Sequence, residues 1–195
     1  ISGLWLIQEC RREWSERGTD IAYNDMAKVA STAAEFSSFI DPDDDRFTTA
    51  GNMEMKIQNF CRETNQLVPK EKGEIIRCIY ESLALRYAEV WKKLIRNTAQ
   101  PPTQLHIVGG GCQDHLLNQF TANAIGEKVI VGPVEATGMG NILCQLISDK
   151  KISSITEARH ISLNSNTVQI IEPLDKQKWT KAKTKFSKLI KLYTQ

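Results

Sequence analysis

Apolar residues recur at the three-to-four spacing of a helix through the first hundred positions of the chain. This pattern predicts a first helix over residues 1–17, with a stop at Gly18, because glycine readily adopts the left-handed conformation that ends helices. A second helix is predicted behind a cap at Asn24. Two more are predicted over 53–62 and 74–95, the latter being the longest of the chain. One face of the first helix carries Leu4, Trp5, Gln8 and Arg12.

The pattern changes after residue 100. The short β-branched run 105–108 predicts a buried strand, and the three glycines 109–111 follow it directly. We then predict a helix over about 113–126, a second strand over 128–131 and a helix from about Thr137. The order strand, glycine turn, helix, strand, helix predicts an α/β unit whose two strands are parallel and joined by a right-handed crossover.

A lysine-rich segment closes the chain. Before it, the pattern predicts a weak helix over 156–159 and a strand over 167–171. The final segment then predicts a helix with an apolar stripe between its lysines. That stripe consists of Trp179, Ala182, Phe186, Leu189 and Tyr193. A helix lying on a membrane surface and a terminal helix docked on the core both fit this pattern, and the docked helix is favoured.

The composition is typical of a folded domain. Of 195 residues, 41% are apolar and 25% charged, which predicts a sizeable core. No apolar run approaches the roughly 18 residues of a membrane span, so we expect no contact with a membrane. The net charge of +2 is too small to favour nucleic acid as a partner. Because the chain starts at Ile1 without a leader, we expect a fragment of a longer, cytoplasmic protein.

The five cysteines include one pair with an informative spacing. None belongs to a Cys-x-x-Cys motif, and reduced, buried thiols are the ordinary expectation in the cytoplasm. Pro69 and Gly73 predict a turn, and Cys61 and Cys78 lie about equally far from Pro69 on either side. If the flanking helices form an antiparallel hairpin, the two thiols face each other, which makes Cys61 and Cys78 a disulfide candidate. Two free thiols remain the alternative.

The glycine triplet Gly109, Gly110 and Gly111 carries the strongest chemical signal. Residues without side chains let the backbone approach a ligand, and the amides of the following helix can face an anion or a nucleotide. The segment is not a P-loop, which closes with Gly-Lys-Ser or Gly-Lys-Thr. It is not a dinucleotide fingerprint either, because that motif needs glycine at Asp114. A tight turn without a ligand is the alternative.

No metal site is predicted. The acidic run 41–45 has the spacing of the first EF-hand ligands, but Arg46 stands where that loop needs glycine and Asn52 where it needs glutamate. The three histidines show no ligand spacing, and no carboxylate stands in a context that marks a catalytic base. We therefore expect the run 41–45 to be a solvated loop.

Several short stretches of the chain together resemble the FGGY carbohydrate kinases. The segment 107–113, with the glycine triplet, and its continuation 116–119 are similar to the nucleotide-site segment of that family. The stretches 3–10, 81–85 and 132–142 are similar to the rhamnulokinase branch of the family. The resemblance extends from Ile1 to about Arg159.

The resemblance implies an actin-like, ribonuclease-H-like ATPase fold, in which two domains close on a cleft and this chain is similar to the C-terminal one. It implies transfer of the γ-phosphoryl group of ATP, with Mg, to the 1-hydroxyl of L-rhamnulose. The nucleotide contacts that it implies are Gln8, Gly109, Gly110, Gly111, Gln113 and Asn141. Asp114 stands where asparagine is common in the family. We leave it out of the site, because a negative charge beside a nucleotide weakens binding.

The general base and most sugar contacts of the family lie in an N-terminal domain that is absent from this sequence, so we expect the fragment alone to be inactive. Residues 1–195 are expected to form one domain, with a mainly helical part (1–100), a nucleotide-binding core (101–150) and a C-terminal strand and helix (151–195). An uncovered apolar face favours a homodimer of the fragment. A kinase of another ketose or polyol, and a non-catalytic nucleotide-binding module, are the alternatives.

Overall fold

Eight α-helices and three short strands make up residues 3–193, the part of the chain that this computed structural model describes. In chain order they are α1 (Trp5–Glu16), α2 (Tyr23–Ser31), α3 (Met53–Glu63), α4 (Lys72–Asn97), β1 (Leu105–Ile107), α5 (His115–Ile125), β2 (Val129–Val131), α6 (Ala136–Ser148), α7 (Ile155–Ser165), β3 (Gln169–Ile171) and α8 (Lys176–Tyr193). Each predicted helix and strand is present, with shifted ends. Ile1 and Ser2, which open the predicted first helix, lie outside the described residues.

The first two helices start at other residues than predicted. α1 begins at Trp5, and α2 begins at Tyr23, so the predicted cap Asn24 lies inside the first turn of α2. The predicted stop at Gly18 is confirmed, because this residue has a φ of 83° just beyond the end of α1. The face with Gln8 is the more exposed face of α1. Its buried face consists of Leu6, Ile7, Cys10 and Trp14.

The long helix α4 lies at the centre of the main core. The Glu74 side chain fixes its start, since Oε2 accepts the backbone N–H of Lys70 at 2.7 Å and of Glu71 at 3.1 Å. Helices α2, α5 and α8 pack against it. The apolar residues that recur at helical spacing along α4 are buried at Ile75, Ile79, Leu83, Ala88 and Trp91, whereas Tyr87 is half-buried.

Gly73 corrects one detail of the sequence interpretation. We predicted a turn marked by Pro69 and Gly73, but α4 already begins at Lys72, so Gly73 lies in its first turn. A Cβ atom on Gly73 would lie 2.5 Å from the backbone oxygen of Val29. Glycine is therefore needed here because α2 approaches α4 closely.

A three-stranded sheet lies beside the helices in the order β1-β2-β3. β1 and β2 are parallel, as predicted, with Leu105 opposite Val129 and Ile107 opposite Val131. β3 is antiparallel to β2. Helix α5 joins the two parallel strands, and the side of the sheet that it covers holds a second apolar cluster, which includes Cys112 and Ala122.

Helices α6 and α7 form a small separate unit. They pack on each other around Leu143, Ile152 and Ala158. Ile142 on α6 and Ile155 on α7 are 59% and 63% exposed. This helix pair is therefore the part of the molecule with the thinnest core.

The C-terminal helix α8 is docked on the core, as favoured from the sequence. Trp179, Ala182, Phe186 and Ile190 are buried, and the ring centroids of Phe36 and Trp179 are 5.0 Å apart. The side chain of Tyr193, predicted in the same stripe, lies outside the described part. No helix within residues 3–193 is long and apolar enough to cross a membrane.

The candidate disulfide between Cys61 and Cys78 is not formed in this structure. Both residues are free, buried thiols. Their side chains interact, as the spacing suggested, and this interaction lowers the pKa of Cys61. The same interaction and burial raise the pKa of Cys78. The structure therefore has the alternative that the sequence left open, two free thiols.

Candidate functional site

The glycine triplet forms a tight turn between β1 and α5. Residues Gly109–Gln113 make one short 3-10 helix. The Gly109 N–H donates to Pro133 O at 3.0 Å, and the Gly132 N–H donates to Ile107 O at 2.9 Å. These two hydrogen bonds connect the turn to the segment that follows β2. The carboxyl ends of both parallel strands therefore lie next to each other.

The three glycines of this turn are not equivalent. Gly109 has a φ of 77°, a conformation that favours glycine. A Cβ atom on Gly111 would make an ordinary contact of 3.7 Å with Ile107. On Gly110 it would meet no atom within 4 Å, and the backbone there is not left-handed. The fold therefore does not require glycine at position 110, and the space beside it is open to a ligand.

A cavity of about 670 Å³ opens beside the turn. It is lined by Leu4, Gln8, Tyr23, Gly110, Gly111, Cys112, Gln113, Asp114, His115 and Val134. The volume is within the usual range of small-molecule sites. None of these lining residues is a lysine or an arginine. An anion in the cavity would instead face backbone amides and the positive N-terminal end of α5.

The structure brings together most of the residues that the family resemblance implied. Those that line the cavity are Gln8, Gly110, Gly111 and Gln113. Gly109 shapes the turn and is not part of the lining. Asn141 lies apart from the cavity, on the exposed side of α6, where its Oδ1 accepts a hydrogen bond from Gln145 Nε2 at 3.1 Å.

Asp114, which we left out of the site, lines the cavity and organises the start of α5. Its Oδ1 accepts the Leu117 N–H at 3.0 Å and so caps the helix. Its Oδ2 accepts the hydroxyl of Tyr80. Burial, together with the nearby Asp114 charge, raises the pKa of Tyr80 far above its usual value, so this hydroxyl stays a donor. Both carboxylate oxygens of Asp114 are thus engaged by the protein.

Tyr23 brings helix α2 to the cavity. The guanidinium of Arg11 lies 4.1 Å from the centre of the Tyr23 ring, and Arg11 Nε donates to Ile21 O at 2.8 Å. The ring offers a flat surface on which another ring can stack. No sequence signal linked Tyr23 to the glycine turn, since their contact is tertiary. Leu4 could have been found, because it lies one helical turn before Gln8.

Within the described residues, no group of three or more His, Cys, Asp and Glu side chains is arranged to hold a metal ion. The one carboxylate that lines the cavity is Asp114, and its oxygens are engaged as described above.

Comparisons with known proteins identify the family. Residues 1–148 match the model for the FGGY family of carbohydrate kinases, C-terminal domain. The chain is 39% identical over 191 residues to a rhamnulokinase of Bacteroides thetaiotaomicron, covering 98% of this chain and 39% of that protein. It is 42% identical over 173 residues to a rhamnulokinase of Enterobacter sp. This match covers 89% of this chain and 35% of that protein. The chain thus spans less than half of the length of these relatives.

Solved structures share the fold at low sequence identity. The crystal structure of Plasmodium falciparum glycerol kinase with ADP aligns with a TM-score of 0.67 and 14% identity, over 97% of this chain and 37% of that one. The crystal structure of xylulose kinase from Rhodospirillum rubrum aligns with a TM-score of 0.64 and 12% identity. This alignment covers 97% of this chain and 38% of that one. These likenesses confirm the expected actin-like α/β fold. The chain belongs to the FGGY family of carbohydrate kinases, whose C-terminal domain its residues 1–148 match.

Proposed function

We propose that the cavity beside the glycine turn binds the adenine nucleotide of a carbohydrate kinase, ATP before phosphoryl transfer and ADP after it. The observation that supports this most directly is Gly110. The fold itself does not require glycine there, whereas a ligand that approaches the backbone closely does. The N-terminus of α5 opens on the same cavity and favours phosphate groups, while the charge of the Asp114 carboxylate that caps the helix acts against them.

In this proposal different lining residues contact the phosphates, the ribose and the base of the nucleotide. The backbone of Gly110 and Gly111 and the start of α5 face the phosphates. Gln8 and Gln113 offer side-chain amides to ribose or phosphate oxygens, and Tyr23 offers its ring to the base. Mg accompanies the phosphates. Asn141 stays a prediction, as a contact at the outer edge of the nucleotide.

The sugar is proposed from the relatives. Since rhamnulokinases are 39% to 42% identical to this chain, we propose that the intact protein transfers the γ-phosphoryl group of Mg·ATP to the 1-hydroxyl of L-rhamnulose. We also propose that it works in the cytoplasm and that residues 1–195 form its single C-terminal domain. The general base and most sugar contacts then belong to an N-terminal domain. Because phosphoryl transfer depends on positioning by both domains, these 195 residues alone are expected not to phosphorylate the sugar.

Replacement of Gly110 by alanine tests the nucleotide site. The added methyl group meets no protein atom within 4 Å, so the melting temperature should change by less than about 2 °C. It occupies space at the cavity, so the Kd for Mg·ADP should rise about tenfold or more, a loss of about 1.4 kcal/mol. Calorimetric titration gives the Kd, and NMR amide shifts around Gln8 and the turn 109–113 locate the ligand.

Gly138→Ala is the matched control. Gly138 lies on α6, outside the cavity, and an added Cβ atom there also meets nothing within 4 Å. This variant should bind Mg·ADP like the unchanged chain. Equal affinity of the Gly110→Ala variant and the unchanged chain would contradict the proposed site.

Activity of the intact protein tests the substrate. The highest kcat/KM in a panel of ketoses and polyols is expected for L-rhamnulose. A clear preference for another sugar would contradict L-rhamnulose as the substrate but would still support a carbohydrate kinase. Nucleotide binding without any phosphorylation would favour the non-catalytic module instead. The homodimer of these 195 residues stays a prediction, which light scattering on the purified chain checks.

A further inference from the structure

Cationic side chains concentrate along a groove that is separate from the nucleotide cavity. This basic groove runs between the C-terminal half of α4 and helix α8 and consists of two adjoining hollows of about 640 Å³ each. Its cations are Arg86, which is paired with Asp43 and Glu89, and six further side chains: Lys92, Lys93, Arg96, Lys183, Lys188 and Lys191. The groove and the nucleotide cavity have no lining residue in common.

The six cations of the basic groove other than Arg86 lack carboxylate partners within the described residues. None of them takes part in the ion pairs that hold other basic residues, such as Arg77 with Glu81 at 2.7 Å. Two carboxylates line the groove. Glu89 is engaged by Arg86 at 3.3 Å and by the Ser187 hydroxyl at 2.8 Å, which leaves Glu127 as the other acidic side chain.

This concentration of charge is local, because the whole chain has a net charge of only +2. Partial burial of Lys183 and the nearby charge of Lys92 lower the pKa of Lys183, which shows that the cations repel one another. Trp91 also lines the groove and is only 6% exposed, and its buried indole N–H has no acceptor among the described residues. The unpaired cations thus call for an anionic ligand rich in acceptor oxygens.

We propose that the basic groove binds a small anion that carries several phosphate groups. Six cations spread over two adjoining hollows exceed what a single phosphate can neutralise, and the hollows have the size of small-molecule sites. The lysines act as point charges and Arg96 as a fork for two oxygens of one phosphate. The ligand class is therefore an oligophosphate or a metabolite with two or more phosphate groups.

A free anion fits this groove better than lipid headgroups do. The apolar stripe of α8 is buried in the core at Trp179, Phe186 and Ile190, and the exposed Leu192 alone does not make an apolar face that could insert into a bilayer. The cations also line a concave groove rather than a flat face. Both sources share phosphate chemistry, and the experiment separates them.

Calorimetric titration with inorganic tripolyphosphate at about 150 mM salt tests the proposal on the 195-residue chain. In the triple variant Lys183→Gln, Lys188→Gln, Lys191→Gln the Kd is expected to rise at least about tenfold. The matched control is Lys176→Gln, Lys181→Gln, Lys185→Gln, which removes the same charge from exposed positions of the same helix outside the groove. The control is expected to change the Kd less than about twofold.

NMR gives an independent readout. Tripolyphosphate is expected to shift the indole N–H resonance of Trp91, identified by its loss in Trp91→Phe, and to leave the amides of the turn 109–113 in place. Equal weakening in both triple variants would overturn the proposal, because it indicates a general charge effect. Absence of tripolyphosphate binding overturns it as well. So does charge-dependent binding to vesicles of phosphatidylglycerol in the absence of binding to tripolyphosphate, since the groove would then serve a membrane.

Discussion

Glu81 is a carboxyl group in the core of the protein. It is 1% exposed on α4, where Oε2 accepts the Phe36 N–H at 2.8 Å and Oε1 accepts Arg77 Nε at 2.7 Å. Burial raises the pKa of Glu81 to about 7, although Arg77 and the Phe36 N–H oppose this. The residue therefore changes its charge near neutral pH and affects the stability of the fold there.

The sign of this effect follows from proton binding. Between the ordinary glutamate pKa of 4.5 and about 7, folded Glu81 keeps a proton that the unfolded chain has released. The free energy of unfolding should therefore fall as the pH rises from about 5 to 7, by roughly 2–3 kcal/mol from this group. Glu81→Gln does not titrate and should remove this part of the slope. Urea unfolding of both proteins at several pH values measures it, and parallel pH curves would contradict the prediction.

Contacts between helices depend on Gly73, where α2 approaches α4. An alanine Cβ there would lie 2.5 Å from Val29 O and 3.0 Å from Thr32 Oγ1. We expect Gly73→Ala to push α2 away and to lower the free energy of unfolding by about 1–3 kcal/mol, measured by urea unfolding. Gly138→Ala, on an open helix surface, should be neutral or stabilising by up to about 1 kcal/mol. Equal free energies of unfolding for the two variants would contradict this prediction, because they would show that α2 can move away from α4 without destabilising the fold.

Sequence periodicity predicted the helices and strands because each of them buries one face. The apolar residues of that face recur every three to four positions in a helix and every second position in a strand. The stripe of α4 and the parallel pair β1 and β2 were predicted in this way. The residues that were interpreted wrongly or missed depend on contacts between elements that are distant in the sequence. Gly73 was interpreted as a turn residue because the approach of α2 is not visible in local sequence. Tyr23 was missed because α2 meets the glycine turn only in the folded chain. Asp114 was judged by its charge alone, whereas the structure engages both of its oxygens.

At the scale of the whole molecule, the proposed nucleotide cavity lies where the helical part meets the sheet. Leu4 directly precedes α1, Gln8 comes from α1, Tyr23 from α2, and Val134 from the segment between β2 and α6. The remaining lining comes from the glycine turn and the start of α5. A ligand in this cavity would connect parts of the chain that otherwise pack in separate apolar clusters. Binding should therefore stabilise several elements together.

Hydrogen exchange with and without Mg·ADP tests this coupling. At about ten times the Kd, ligand linkage should add about 1.4 kcal/mol to the free energy of unfolding. Slower exchange is expected at the start of α1, in the turn 109–113 and in the segment 132–135, because all three border the cavity. The α6–α7 pair should not change, since it packs around its own cluster. Protection of α6 and α7 equal to that of the turn would mean that the ligand reorganises the whole chain. At the same ligand concentration Gly110→Ala should keep no more than about 0.4 kcal/mol of this stabilisation, because its Kd is at least about tenfold higher. Full protection in this variant would contradict a ligand at the glycine turn.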